Sequence, residues 1–152
     1  MNFTGIDLSL NATGFITLTE DKEIIKEEII SSKPKNEIEE RIIFIRDEIS
    51  KLISSPSIIY IEGLSYMSVS ATLAQLAALH YTIRIFLYEL KTYPFKIIPP
   101  TSLKKFTTGK GNSKKSLMIK EVYKKWGYDT SDDNLADAYG LAMMAFKSKY
   151  EN

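Results

Sequence analysis

The first thirty residues alternate between apolar and polar side chains, the pattern of strands that bury one face. The alternation falls into three segments, which span residues 3–10, 15–19 and 23–30. Turn-forming residues at 11–14 and 20–22 separate the segments, and such short connections join neighbouring antiparallel strands. The N-terminal part of the chain is therefore predicted to be an antiparallel meander of three strands.

Downstream, the apolar residues recur at steps of three and four, which is the spacing of an amphipathic helix. This spacing predicts one helix from a cap at Asn36 to about residue 53 and a long helix over 70–90. The continuous apolar run in 57–62 is typical of a central strand that is buried on both faces. Residues 95–98 form a shorter strand, which two prolines end.

Three more helical segments close the chain: one turn at 102–106, a helix from a Ser113 cap to about Trp126, and a last helix from a Ser131 or Asp132 cap to about Lys149. A helix that leads to a parallel strand makes a right-handed crossover. The order of elements therefore predicts an α/β fold, with a mixed five-stranded sheet (three antiparallel strands, then two parallel ones) and helices on both faces. The whole chain, 1–152, is expected to form a single domain.

Composition removes several classes of site. The 152 residues include no cysteine, which excludes disulfides and thiolate zinc sites, and His80 is the only histidine, which excludes a multi-histidine metal site within one chain. No apolar run reaches the length of about 18 residues that a membrane span needs, and the N-terminus lacks the pattern of a signal peptide. We therefore expect no membrane segment and a cytoplasmic location.

Charge is unevenly distributed although the net charge is only +1. Residues 103–125 contain eight lysines and one acid, Glu121. A solvated helix face is the ordinary explanation of such a run. Here the run also contains the donor-rich segment 107–112, which reads as a flexible loop and favours binding of nucleic-acid phosphates.

Carboxylates stand where predicted elements end or begin. Asp7 falls within the first predicted strand, Glu62 ends the fourth, and Asp133 and Asp137 are four residues apart on one face of the last helix. If the first and fourth strands are neighbours, Asp7 and Glu62 converge at one sheet edge. Carboxylates gathered without lysine neighbours repel one another in the absence of metal, and hard oxygen ligands of this kind suit Mg²⁺ or Mn²⁺.

Each acid also has a simpler interpretation when it is taken alone. Asp132 or Asp133 alone would most often cap a helix, and Glu62 alone could end a strand in water. Asp7 fits a simple interpretation least well, because a carboxylate in the middle of a central strand is costly unless a cation compensates it. Because acids occur at all three positions (the first strand, the fourth strand and the last helix), a metal site explains them better than coincidence does.

These segments resemble the RuvC-type Holliday junction resolvases, and more particularly their phage-type branch. The run 5–14 is similar to the first strand and turn of that family, and Tyr60-Ile61-Glu62-Gly63 resembles its second acidic motif. The segments 99–106 and 109–115 resemble the basic segment of the phage-type branch, and 133–138 resembles the closing acidic motif. The resemblance extends from about residue 3 to about residue 146.

The resemblance implies a ribonuclease H-like fold, a homodimer and Mg²⁺-dependent incision of four-way junctions. It also implies that the catalytic acids are Asp7, Glu62 and Asp137. The family usually has an acid or a histidine three residues before the last of these, where this chain has Asn134. We assign the fourth role to Asp133 and keep Asn134 and Asp132 in reserve. An aromatic residue shortly after the second acid is also usual, which makes Tyr66 a candidate for stacking at the junction centre, or equally a core or interface residue.

The sequence-based hypothesis is a crossover junction endodeoxyribonuclease that hydrolyses phosphodiesters with two metal ions, Mg²⁺ or Mn²⁺, bridged by Asp7. The long helix over 70–90 is the expected dimer interface, although simple packing on the sheet would also explain it. If a phage encodes the protein, it would act in the cytoplasm of the bacterial host. A ribonuclease H acting on RNA–DNA hybrid and a non-catalytic junction-binding protein remain open alternatives. Phosphate contacts are assigned to five lysines: Lys104, Lys105, Lys110, Lys114 and Lys115.

Overall fold

The computed structural model describes residues 1–53, 56–65 and 71–150. Five strands form one sheet in the order β3-β2-β1-β4-β5, in which β1, β2 and β3 are antiparallel and β4 and β5 continue the sheet parallel to β1. The predicted mixed sheet is confirmed. The strands are β1 (Asn2–Asp7), β2 (Thr13–Leu18), β3 (Ile24–Ile30), β4 (Ser57–Glu62) and β5 (Phe95–Ile98).

Helices cover both faces of the sheet, as the order of elements predicts. One apolar core lies between the sheet and the first two helices, around Ile6, Phe15 and Ile45. A second core lies on the opposite face, around Phe3 and the last three helices. The helices are α1 (Ile38–Leu52), α2 (Ala71–Leu90), α3 (Pro100–Thr108), α4 (Lys115–Trp126) and α5 (Asp133–Tyr150).

Helix α5 lies unusually close to the two central strands because glycine occupies the contact positions. A Cβ atom on Gly5 of β1 would lie 1.8 Å from the Ala138 carbonyl oxygen, and one on Gly14 of β2 would lie 2.3 Å from the Asn134 carbonyl oxygen. Any side chain at these positions would push the helix away. The two glycines therefore set the distance between the N-terminal half of α5 and the sheet.

Two predicted helix caps are wrong. Helix α1 begins at Ile38 with Glu37 at its N-cap, so Asn36 lies outside the helix, and α4 begins at Lys115 with Lys114 at its N-cap. The Ser113 hydroxyl instead donates a 2.6 Å hydrogen bond to the Lys110 carbonyl oxygen in the loop before α4. Local backbone contacts compete for these short polar side chains, so a serine or asparagine near a helix does not by itself identify the first residue of that helix.

Strand and helix lengths also differ from the predictions at a few ends. Strand β1 stops at Asp7, three residues before the end of the predicted strand, and α3 is nine residues long where one turn was predicted. Pro100 at the first position of α3 favours helix, because its ring presets the backbone angle and the missing N–H has no partner there. None of the helices in the described part of the chain combines the length and apolar character needed to cross a membrane.

Candidate metal and DNA-binding site

Asp7 and Glu62 end two neighbouring parallel strands. Ile6 of β1 pairs with Ile61 of β4, so the next residues along, Asp7 and Glu62, emerge side by side at the carboxyl edge of the sheet. The prediction that the two strands are neighbours is confirmed. The prediction that Asp7 lies in the middle of its strand is wrong: it is the last residue of β1, and the chain turns away immediately after it. Its side chain therefore reaches the rim of the sheet while remaining half-buried.

Asp137 completes a cluster with these two acids. It lies in the second turn of α5, directly before Ala138, whose carbonyl oxygen packs on Gly5. The close approach of α5 to β1 thus places Asp137 over the end of that strand. Carboxylate oxygens from Asp7, Glu62 and Asp137 all lie within 4.8 Å of one another.

Burial and mutual repulsion make this cluster reluctant to ionise. The pKa of Asp7 is well above its ordinary value, first because the group is buried and then because the charges of Glu62 and Asp137 lie beside it. Burial also raises the pKa of Glu62, although a hydrogen bond from Asp7 and the charge of Lys104 oppose the rise. Burial, followed by the charge of Glu62, raises the pKa of Asp137 to about 7. Each of the three groups therefore loses its proton less readily than an isolated carboxyl does.

The donor set fits a hard divalent cation. Three carboxylates from three different elements converge, and oxygen ligands of this type suit Mg²⁺ and Mn²⁺. A bound cation would also remove the repulsion that raises the pKa values, because it offsets the charge that burial makes costly. The acids are thus arranged for a partner with positive charge.

Two lysines also line this cleft. The prediction that the acids gather without lysine neighbours is therefore wrong. Lys115 Nζ lies 2.6 Å from Asp133 Oδ2, and this contact raises the pKa of Lys115. Lys104, from α3, lowers the pKa of Glu62 and of Asp137 by its charge. Asp133 is therefore compensated by a lysine, whereas the Asp7, Glu62 and Asp137 group has no direct ion pair among the described residues.

Around these groups is an open cleft of about 300 Å³. Asp133 and Asn134 both line it, so both candidates for the fourth position face the acids. Asp132 has a different role: its Oδ1 accepts hydrogen bonds from the N–H groups of Asn134 and Leu135 at 2.8 and 3.1 Å, which makes it the N-cap of α5. The cap at Asp132, one of two predicted, is confirmed. Sequence patterns did not point to two further lining residues: Ser9 and Met118.

Neither a protein-family profile nor a curated protein sequence matches the chain. Solved structures do match it. RuvC of Thermus thermophilus matches with a TM-score of 0.81 at 17% identity, covering 99% of this chain and 97% of that one. The same RuvC in complex with a Holliday junction substrate gives 0.83 at 18% identity, covering 99% and 96%. The Fowlpox virus resolvase with its substrate Holliday junction DNA gives 0.67 at 14% identity, covering 99% of both chains.

The chain has a RuvC-type fold. The predicted ribonuclease H-like architecture is confirmed with it, since the chain superposes on nearly the whole length of the two RuvC structures. At this level of identity the similarity shows the fold alone. What the site can do chemically has to be argued from the residues that line the cleft.

In this RuvC-type fold, the lysines that the sequence assigned to phosphate binding lie in and beside the loop between α3 and α4. Lys105, Lys110 and Lys114 are exposed, while Lys104 is half-buried at the cleft. At the start of this loop the Thr108 hydroxyl accepts a hydrogen bond from the Lys110 N–H at 3.1 Å. The remaining candidate, Tyr66, lies outside the described residues.

Proposed function

We propose that the chain is a divalent-metal-dependent endonuclease that cuts four-way junctions and other branched DNA. The observation that carries the proposal is the convergence of Asp7, Glu62 and Asp137 within 4.8 Å on a RuvC-type fold. The solved neighbours include a RuvC with a Holliday junction substrate and a viral resolvase with Holliday junction DNA. The reaction class would be that of a crossover junction endodeoxyribonuclease.

Asp7, Glu62 and Asp137 would hold the metal, Mg²⁺ or Mn²⁺, because their carboxylate oxygens lie within 4.8 Å of one another. Bound metal of this kind supplies an activated water and stabilises the leaving oxygen of a phosphodiester. Asp133 is our fourth ligand and Asn134 its substitute, since both line the cleft. Lys115 is paired with Asp133 Oδ2, so its positive charge would compete with the metal for this carboxylate.

Lysines would bind the DNA on the side of the cleft formed by α3 and α4. Lys104 and Lys115 lie among the acids, where a phosphate entering the cleft would meet them first. Lys105, Lys110 and Lys114 are exposed next to them and would contact the neighbouring backbone phosphates. Contacts of this kind are independent of base sequence and weaken steeply as salt is added.

A homodimer would supply the second active site that paired incisions of a junction require. The surface we assign to it is the outer face of α2, where Tyr81, Ile85 and Tyr88 are 51%, 55% and 73% exposed. Apolar side chains so exposed on a single helix face are typical of an interface between subunits. A two-fold axis through this face would let each copy bury the same residues of the other.

The test is a direct comparison of substrates. Purified protein is incubated with Mg²⁺ and end-labelled DNA of matched sequence in three forms: a four-way junction, a linear duplex and an RNA–DNA hybrid. The proposal expects the junction to be cut fastest, with nicks in two opposing strands. Faster cutting of the hybrid would assign the site to a ribonuclease H instead, and tight junction binding with no cutting under Mg²⁺ or Mn²⁺ would assign it to a non-catalytic junction-binding protein.

A further inference from the structure

A second groove adjoins the acidic cleft on the side opposite the lysines. It lies between the turn that follows β1 and the first turns of α2, and has a volume of about 310 Å³. Ser9 lines both this groove and the acidic cleft, so the two lie side by side at this residue. A strand of DNA whose phosphate reaches Asp7 has this groove directly beside it.

Arg41 closes the groove from α1 and brings a fixed positive charge to it. Its Nη2 donates hydrogen bonds to the Leu10 carbonyl oxygen at 3.0 Å and to Asn11 Oδ1 at 2.7 Å, and its Nε donates to Ser32 Oγ at 2.8 Å. Within residues 1–53, 56–65 and 71–150, no carboxylate forms an ion pair with this half-buried guanidinium. An oriented guanidinium without a counter-anion suits a phosphate oxygen.

The walls of the groove combine apolar surface with amide groups. Leu8, Leu10 and Leu76 supply the apolar part. Because the Asn11 oxygen accepts from Arg41, the amide NH₂ of Asn11 remains as a donor. Across the groove, the side-chain amide of Gln75 has no hydrogen-bond partner in the part of the chain that the structure describes. Apolar walls that carry side-chain amides suit the flat face and polar edge of a nucleobase.

We infer that this groove holds the nucleotide next to the cleaved phosphodiester, with its phosphate at Arg41 and its base edge at Asn11 and Gln75. The inference rests on the proposed function for the DNA strand that it places in the acidic cleft. It assigns base discrimination to Asn11 and Gln75, whereas the lysines on the other side contact phosphates alone. The position of the cut would consequently depend on the base that enters the groove.

Photocrosslinking tests occupancy without relying on cleavage. A four-way junction carrying single 4-thiothymines on either side of its crossover is bound to the Asp7→Asn variant, irradiated, digested and analysed by mass spectrometry. Cross-links to residues 8–11 or 72–76 are expected. Cross-links confined to the lysine-rich segment 104–115, or no DNA binding at all, would overturn the inference.

Cleavage maps test base discrimination. Junctions that vary the base at the crossover are cut by wild type, Asn11→Ala and Gln75→Ala, with Ser50→Ala on the exposed side of α1 as the control. The ratio of rates between the best and the worst base should fall about tenfold in the groove variants and stay unchanged in the control. An unchanged ratio in all variants overturns the inference while cleavage itself upholds the proposed function. Groove cross-links without cleavage by wild type would show that DNA occupies the groove and would overturn the proposed nuclease function.

Discussion

Lys115 donates a 2.6 Å charge-assisted hydrogen bond to Asp133, and so joins the start of α4 to the start of α5 at the mouth of the acidic cleft. The lysine belongs to the segment that we expect to bind DNA, and the aspartate belongs to the group that we expect to bind metal. In the free protein each therefore neutralises the other. Metal at Asp133 and phosphate at Lys115 would compete with this pair, so loading of the cleft should separate the two residues.

Lys115→Gln should strengthen metal binding to the free protein, because it releases Asp133 and removes one positive charge from the cleft. Isothermal titration with Mg²⁺ or Mn²⁺ measures the change. The lysine side of the ion pair is largely exposed, which limits the expected gain to about 0.2–1 kcal/mol. Lys114→Gln is the matched control, since Lys114 is exposed beside it and forms no ion pair among the described residues. Equal affinities in both variants would contradict this account of the pair.

Gly5→Ala should move α5 and disable the site. The added methyl would lie 1.8 Å from the Ala138 carbonyl oxygen, where only backbone movement can relieve the overlap. We expect a loss of about 3 kcal/mol in the free energy of unfolding, the upper end of the usual cost of overpacking, and loss of metal-induced stabilisation. Denaturant unfolding with and without Mg²⁺ measures both.

Gly111→Ala is the control for this substitution, because the nearest atom to its added methyl is the Thr101 carbonyl oxygen at 3.4 Å. Its stability should remain close to that of wild type. If Gly5→Ala were as stable as Gly111→Ala and bound metal normally, the glycine contact would not be what positions Asp137.

The stability of the metal-free protein should depend on pH through Asp137. Folding raises the pKa of this carboxyl from its ordinary 3.8 to about 7, so between these values the folded state holds a proton that the unfolded state has lost. The contribution to stability is then present below about pH 4 and is lost as pH rises through about 7. Asp7, whose pKa burial and its acidic neighbours also raise, acts in the same direction.

Asp137→Asn isolates this effect. In EDTA at pH 8 the variant should melt higher than wild type, by about 2–4 °C for each kcal/mol of relieved repulsion, and the difference should shrink towards pH 4. Differential scanning calorimetry across this range measures it. Adding Mg²⁺ should stabilise wild type and leave the variant nearly unchanged. A variant that is less stable than wild type in EDTA at pH 8 would contradict the described electrostatics.

A single charged substitution tests the proposed dimer face. Ile85→Lys places an ammonium group in the centre of the exposed apolar face of α2, where it would be buried without a partner. Light scattering should then show a monomer where wild type is a dimer, and paired nicking of a junction should become single nicking. Tyr123→Lys on α4 is a control of similar exposure. A monomeric wild type would contradict the proposed homodimer, and an unaffected dimer in Ile85→Lys would place the interface elsewhere.

Much of the architecture could be predicted because the three central strands, β1, β2 and β4, are largely buried. The alternation around Phe15 and the apolar run through Ile61 placed β2 and β4 within two residues of their observed ends, and the order of elements implied that Asp7 and Glu62 would meet. These features depend on local periodicity and on chain topology. They require no knowledge of how side chains pack.

The contacts that depend on packing between helices could not be predicted. Lys115 and Asp133 are eighteen residues apart and meet only because α4 and α5 dock on the same core. The Arg41 groove likewise joins α1, α2 and the turn after β1, which no sequence pattern connects. The starts of α1 and α4 were misplaced because several polar residues near each start could have served as the cap.

Replacing Asp7 shows whether this residue serves a metal-dependent nuclease. A labelled synthetic four-way junction is incubated with Mg²⁺ and either wild type or Asp7→Asn, and both binding and strand cleavage are followed. We expect symmetric paired nicks by wild type, and junction binding without nicks by Asp7→Asn. Undiminished cutting by Asp7→Asn, or intact junction with wild type under every divalent metal, would contradict it.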